Sequence, residues 1–532
     1  MSPPGPPDSV EVYDTTLREG VQAEGFTLLV EDKIRIAAKL DELGVHYIEG
    51  GWPGANQKDE EFFGRMRRHP LKNSRLVAFG STHNPRQKPE EDPNLKALLA
   101  SGCKAATVVG KSWTEQVTTA LRTTLERNLE MIENSVAFLA QEMEEVFFDA
   151  EHFFTGFAAA PEYALTTLKT AVAAGASRLV LCDTTGAALP SEVRPIVARV
   201  VEELGRVRVG IHAHNDGDMA VANVLAAVEG GASHVQGTIN GFGERCGNAN
   251  LCSTLPNLVF KMGIGCLEPQ NLERLTEISR YVNELANLPS NRWQPYVGRS
   301  AFAHKAGLHV SAVEKSPHLY EHIDPQRVGN VRRIVISDLA GQASILHKMS
   351  RFGLEVSPDD PVVGEIVDQV KGLESRGYAF EAAEASFLLL VNRALGAHKR
   401  YFQLMGFRVF DYKEAEDKEP VSEASIMVKV GGQIEHTASI GQGPVHALDR
   451  AMRKALTKFY PSLEEMSLTD FKVRVLPGVA GTAAVVRVLI ESGDKEERWG
   501  TVGVSYNIIQ ASWQALVDAI DYKLFKDERR GK

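Results

Sequence analysis

The segment VRVGIHAH (207–214) carries two histidines one residue apart. Val207, Val209, Ile211 and Ala213 alternate there with Arg208, Gly210, His212 and His214. Successive side chains of a strand point to opposite faces, so both imidazoles leave the same, less apolar face. Two such imidazoles can hold one divalent cation if a carboxylate joins them and a coordination position stays open. Taken alone, the pair is equally a polar strand end. Glu19, in DTTLREG (14–20), is the candidate carboxylate. Its neighbour Arg18 is either a surface helix-start residue or a guanidinium aimed at oxygen charge that grows during a reaction, held by Glu49. Glu151 reads as an acid/base group or as a structural anion. In GFGERCGN (241–248) the glycines allow close approach of the backbone. Glu244 and Arg245 there form an ion pair or something more, and Asn248 is placed to orient or complete a metal shell. His304, His309 and Tyr320 lie further on, in or after the loop GRSAFAHKAGLHVSAV (298–313).

Elements must bring these groups together. Short apolar, β-branched runs begin near residues 10, 45, 75, 105, 145, 178, 207 and 233. Helix-like segments separate them. EDKIRIAAKLDELG (31–44) sets Ile34, Ala37, Ala38, Leu40 and Leu43 along one stripe and stops at Gly44. PEYALTTLKTAVAAG (161–175) opens on a proline suited to a first helical turn and also ends at glycine. Eight strand–helix units within roughly 260 residues predict a (β/α)8 TIM barrel, typically about 250 residues long. A doubly wound sheet is the rival, but it calls for a glycine-rich phosphate loop after the first strand, and this chain has LREG. Barrel chemistry gathers at the C-terminal strand ends. Asp14, Arg18, Glu19, Glu49, Ser81, His83, Glu151, His152, Asp183, Thr184, His212 and His214 all fall there.

Beyond the barrel, assigned to 9–270 after a flexible leader at 1–8, residues 271–400 read as a helical linker subdomain. Residues 401–532 read as an α+β regulatory domain. YFQLMGFRVF, ASIMVKV and QIEHTAS lead into a helix at 444–460. FKVRVLP, TAAVVRVLIES and ERWGTVGVS lead into a second at 508–525. That is a βββα unit used twice. KEAEDKE (413–419) is a solvated hairpin tip.

The chain has 532 residues, 43% hydrophobic and 24% charged, with a formal charge of −10. This is an ordinary globular balance, not that of a disordered, collagenous or coiled-coil chain. The acidic total argues against nucleic acid as a partner. No apolar run approaches the roughly 20 residues that span a bilayer, and no signal sequence stands at the N-terminus. Five cysteines without a Cys-x-x-Cys pair suggest neither a disulfide frame nor structural zinc, and fit a cytoplasmic protein.

DTTLREGVQAEG (14–25), YIEGGWPGANQKD (47–59), the block from His212 to Leu251 and AFAHKAGLHVSAV (301–313) resemble the 2-isopropylmalate, homocitrate and citramalate synthase family. GPVHALDRAMRKAL (443–456) and VRVLPGVAGTAAVVRVLIE (473–491) resemble its C-terminal regulatory domain. GGWPG and GTINGFGERCGNANLCS look most like the citramalate branch. The resemblance implies a metal-dependent acyltransferase that joins acetyl-CoA to pyruvate, giving (R)-citramalate and CoA, the first step of a threonine-independent isoleucine route. It implies a divalent ion (Mn2+, Mg2+ or Zn2+) on Glu19, His212 and His214, with Asn248 nearby. Many members have Asp where Glu19 stands, and the Glu here resembles the homocitrate synthase pattern. Arg18 matches the catalytic arginine, Glu49 its acidic partner and Thr184 a contact to the 2-oxo acid carboxylate. Glu151, His309 and Tyr320 match residues assigned to acetyl-CoA deprotonation. A homodimer and a branched-chain amino acid effector, isoleucine or leucine, are implied too.

Substrate choice rests on less. His83 is the one cation that sequence position offers to a distal carboxylate, and Trp52 is placed to narrow the pocket toward a methyl group. A 2-isopropylmalate synthase using 2-oxoisovalerate, a homocitrate synthase using 2-oxoglutarate, a retro-aldol lyase of the same superfamily and a non-catalytic metabolite sensor are the alternatives. A metal-dependent amidohydrolase would carry its His-x-His on the first strand, not the seventh.

Overall fold

The computed structural model describes residues 5–205, 207–304, 307–335, 346, 349, 356–357, 360–380, 383–476 and 484–531. It divides into two compact units, one of residues 1–302 with 322–332 and the other of residues 303–321 with 333–532.

The first unit is a closed eight-stranded barrel. Its parallel strands are β1 (Glu11–Asp14), β2 (Tyr47–Gly51), β3 (Arg75–Ser81), β4 (Ala105–Lys111), β5 (Glu145–Glu151), β6 (Arg178–Asp183), β7 (Arg208–Ala213) and β8 (His234–Gly237). β1 pairs with both β2 and β8, which closes the ring. The helix Val30–Leu43 buries Ile34, Ala37 and Leu40 against the strands. It ends because Gly44 turns left-handed at φ 86°, where its N–H donates back to Leu40 and Asp41 carbonyls. The helix Pro161–Ala173 has its proline in the first turn, where no amide partner is lost. Inside the ring, Tyr13, Tyr47, Val77, Ala105 and Phe147 pack into a cluster separate from the outer apolar core. The N-terminal end of the interior is sealed by ion pairs. Arg178 donates 3.0 Å bonds to both carboxylate oxygens of Glu11 and lies 3.1 Å from Glu145. Space for chemistry therefore remains only at the C-terminal rim. Of the expected leader, residues 1–4 lie outside the described residues, and the Asp8 carbonyl accepts from Gly265 N at 3.1 Å.

The second unit contains the helices Gly307–Lys315, Pro361–Ser375 and Glu384–Ala394. It also holds a short parallel pairing of Ala303–His304 with Arg333–Ile334 that the sequence had not suggested. Two antiparallel three-stranded sheets follow, Gln403–Tyr412, Val421–Val430 and Gln433–Gly441, then Ser467–Val475, Val486–Gly493 and Arg498–Ser505. Each is followed by a helix, Pro444–Leu456 and Ile508–Arg529. In Val421–Val430, Ala424, Ile426, Val428 and Val430 are buried in alternation, the signature of one face on a core. They pack with Leu448, Met452, Leu516 and Ile520 from the two helices. Residues 413–419 are exposed at the first hairpin connection, where a charged run costs nothing in desolvation. The fifth strand run of the tail was expected from residue 482. The strand starts at Val486, and residues 477–483 lie outside the described residues. No described helix is long and apolar enough to cross a membrane.

Candidate metal centre

The turn after β1 is wound around one carbonyl. Thr15 O accepts from Arg18 N at 3.1 Å, Glu19 N at 2.8 Å and Gly20 N at 3.2 Å. Asp14 braces it by accepting from Thr16 N and Oγ1, both at 2.9 Å. Arg18 and Glu19 are thereby held buried at the rim of a cavity of about 710 Å³.

Glu19, His212 and His214 converge there, with one ligand atom from each lying within 4.8 Å of the others. Glu19 Oε1 is 3.6 Å from His214 Nε2. His212 Nδ1 donates to Gln236 Oε1 at 2.9 Å, which leaves its Nε2 free as a ligand. Burial lowers both histidines, and the neighbouring His212 adds to the effect on His214, which falls to about 3. Neutral imidazole is the ligating form. Burial works to raise the Glu19 carboxyl, but Arg18 above all, with the two imidazoles, outweighs it and holds the group below the ordinary carboxylate range. His214 Nδ1 and Asn248 Oδ1 are buried without hydrogen-bond partners. An O,N,N donor set beside an unsatisfied amide oxygen and an open cavity fits a divalent cation with room for a substrate.

Arg18 is held from three sides. Its Nε donates to Glu49 Oε2 at 2.6 Å, its Nη1 contacts Glu19, and its guanidinium lies 3.8 Å over the Phe79 ring centroid. Glu49 is fixed in turn by Tyr13 OH at 2.7 Å, which also bonds Thr107 Oγ1 at 2.7 Å. Buried amid two carboxylates, the guanidinium resists the loss of its charge, since their attraction exceeds the penalty of burial. Burial, reinforced by Glu49, pushes the Asp149 carboxyl well above the ordinary range.

Other expected residues sit around the same cavity. Glu151 ends β5 opposite Lys111 of β4 and pairs with it. Thr184 Oγ1 accepts from His152 N at 2.8 Å. Trp52 packs edge-on against Phe79 and donates from Nε1 to Asn94 Oδ1 at 2.6 Å. His83 Nδ1 pairs with the Asn84 carbonyl at 2.8 Å, so Nδ1 carries the hydrogen and Nε2 is a buried acceptor without a partner. This corrects the view of His83 as the one cation available to a distal carboxylate: Lys111 also lines the cavity. Arg245 does meet Glu244, at 3.1 Å, but it also binds Asp216 at 2.7 Å and 3.1 Å and the Thr184 carbonyl at 2.8 Å. His309 and Tyr320 belong to the second unit, where their rings stack at 4.3 Å. His304 is in that unit too and faces Glu321 at 3.0 Å.

Gln236, Asp149, Tyr13 and Lys111 were not singled out in the sequence. Alternation offers a signal for two of them, because Asp149 lies between Phe147 and Glu151 on the inward face of β5, and Lys111 shares a face of β4 with Thr107. Nothing local marks Gln236.

Residues 9–282 match the HMGL-like family, residues 296–377 the homocitrate synthase post-HMGL domain, and residues 381–524 the LeuA allosteric (dimerisation) domain. The chain is 55% identical to the (R)-citramalate synthase of Geobacter sulfurreducens over 98% of both chains. It is 53% identical to that of Aquifex aeolicus over 98% of this chain and 99% of the relative. The chain belongs to the (R)-citramalate synthase family. The 2-isopropylmalate synthase of Methanocaldococcus jannaschii is more distant, at 29% identity over 98% of this chain and 96% of the relative.

Proposed function

We propose that this chain condenses acetyl-CoA with pyruvate, giving (R)-citramalate and CoA. The observation that carries the reading is the convergence of Glu19, His212 and His214 beside Arg18 at the mouth of one cavity. A divalent cation held by those three residues, Mn2+, Mg2+ or Zn2+, supplies Lewis-acid polarisation of a 2-oxo group. Asn248, with its unsatisfied oxygen, completes or orients that shell. Arg18 stabilises negative charge as it grows on the keto oxygen, and Glu49 and Phe79 fix its plane so that little reorganisation is needed. Thr184 orients the pyruvate carboxylate. Glu151, His309 and Tyr320 are the groups proposed to take the proton from the acetyl methyl. The resulting enolate carbon attacks the ketone, and hydrolysis of the citramalyl thioester releases CoA and drives the condensation forward.

Trp52 limits the pocket to a small side chain. Size discrimination is worth only about 1–3 kcal/mol per methylene, so side activity on 2-oxobutyrate is expected. Lys111 keeps a 2-oxoglutarate user in view, but its charge is already met by Glu151. The domain at 381–524 is proposed to bind a branched-chain amino acid, isoleucine or leucine, and the protein to work as a cytoplasmic homodimer. Coupling of effector and catalysis requires two states of different effector affinity.

The test is release of free thiol from acetyl-CoA with Mn2+ or Mg2+, using pyruvate, 2-oxoisovalerate and 2-oxoglutarate in turn. Pyruvate is expected to give the highest kcat/KM. A preference for either larger acid would reassign the substrate, and no thiol with any of them would point to the lyase or sensor readings.

A further inference from the structure

We infer that Gln236 decides which nitrogen of His212 faces the cation site, and that Asp149 decides which way round Gln236 stands. This rests on the metal reading of Glu19, His212 and His214 proposed above. A carboxamide oxygen can only accept, so the 2.9 Å contact from Gln236 Oε1 puts the imidazole hydrogen on His212 Nδ1. The lone pair is then on Nε2. A carboxamide has nearly the same shape either way round. Reversed, its NH2 would face His212, draw the hydrogen to Nε2, and leave the tautomer that cannot ligate. The reversal is opposed from β5, where Gln236 Nε2 donates to Asp149 Oδ1 at 3.3 Å. Flipping the amide would set oxygen against oxygen. In the observed bond Oδ1 accepts, so any hydrogen on Asp149 sits on Oδ2; a hydrogen moved to Oδ1 would instead favour the reversed amide.

His212, Gln236 and Asp149 are 5%, 1% and 3% exposed, so the bonds joining them are withdrawn from bulk solvent, although His212 and Asp149 also line the cavity. The chain serves one histidine only, because His214 Nδ1 is buried with no partner. Metal-bound histidines usually give their second N–H to a carboxylate or backbone carbonyl, and removing such a partner typically weakens metal binding about 10–100-fold. A carboxamide does the same work without adding another anion beside Glu19 and Glu49. Gln236 is thus a positioning residue acting through His212.

The test uses the full-length protein with Mn2+ as the probe and affinity, not turnover, as the readout. Gln236→Leu keeps the bulk but removes the acceptor. It is expected to bind Mn2+ about 10–100-fold more weakly. Its Mn2+-dependent gain in melting temperature, measured against its own chelator-treated form, should be smaller than the parent's. The double exchange Asp149→Asn with Gln236→Glu restores an acceptor for His212 and a donor to hold it, and is expected to recover parental affinity. Should Gln236→Leu not fold, Gln236→Asn, which withdraws the amide by one methylene, replaces it with the same expectation. Parental Mn2+ affinity in the single variant, or failure of the double exchange to recover it, would overturn the proposal. Unchanged Mn2+ binding in His212→Ala would instead overturn the metal reading beneath it.

Discussion

The two ends of the barrel interior use the same residue types to opposite ends. At the N-terminal end Glu11 meets Arg178 and, at 2.7 Å, Arg208, while Arg178 also bonds the Tyr47 hydroxyl at 3.1 Å. Charge there is matched to charge. His234 is the least satisfied member, wrapped by the rings of Tyr13, Tyr47 and Phe147 with its Nδ1 3.5 Å from Glu11. At the C-terminal end, Glu19, His212 and His214 line a cavity, and beside them His214 Nδ1 and Asn248 Oδ1 are buried without a hydrogen-bond partner. Glu11 and Arg178 are partly buried and Arg208 is exposed, whereas Arg18, Glu19, Glu49, His212 and His214 are buried. Buried nitrogens without a hydrogen-bond partner occur at both ends, on His234 below and His214 above; what separates the ends is that the upper ionisable groups line an open cavity, while Glu11 is spent on Arg178 and Arg208. That division matches the general behaviour of such barrels, in which the C-terminal face reacts and the opposite face stabilises.

The comparison can be broken most directly at Arg18. Arg18→Ala is expected to lose on the order of 10²–10³ in kcat, about 3–4 kcal/mol, while the protein still binds Mn2+. Near-parental thiol release by this variant would remove the upper cluster from catalysis. Its counterpart below is Arg178→Met. Leaving Glu11 and Glu145 without this partner should cost about 3 kcal/mol in urea unfolding, with kcat/KM held within about twofold. A catalytic defect as large as that of Arg18→Ala would erase the contrast.

Acid titration sharpens it further. Burial tends to raise the Glu11 carboxyl, but His234 and Arg178 outweigh that and hold it well below the ordinary glutamate value of 4.5. A carboxyl depressed in the folded state contributes fully above that value and loses its contribution as pH falls below it. Glu11→Gln should therefore be less stable than the parent at neutral pH, and the gap should narrow as pH drops below 4.5. A gap that stays constant or widens in acid would show that the lower network is not held by this charge. The smallest effect is expected at Trp52. Trp52→Leu should raise the preference for 2-oxobutyrate over pyruvate by no more than about tenfold, as measured by competing kcat/KM values.

Several of these features could be read before any fold was known. The shared face of His212 and His214 follows from a two-residue period, and the helix end at Gly44 from its freedom at positive φ. Arg18, Glu19 and Glu49 stood out because ionisable residues at successive strand ends serve no packing purpose. Asp149 and Lys111 were passed over although they obey the same alternation. The Asp216 partner of Arg245 was missed as well, since the adjacent Glu244 offered a simpler pairing.

By itself the chain's order of residues determined the eightfold strand–helix rhythm, the polar rim and the doubled βββα tail. These are local properties, set by the pleat of a strand and the turn of a helix, and they repeat wherever the pattern repeats. Only the closed barrel decided that Phe79 lies under Arg18, that Lys111 faces Glu151, and that Gln236 and Asp149 line up behind His212. Those contacts join residues 24, 40 and 87 positions apart, and in the case of Arg18 and Glu49 31 apart. Their geometry depends on strand register around the ring, and register is a balance of packing over the whole cylinder that no single segment encodes.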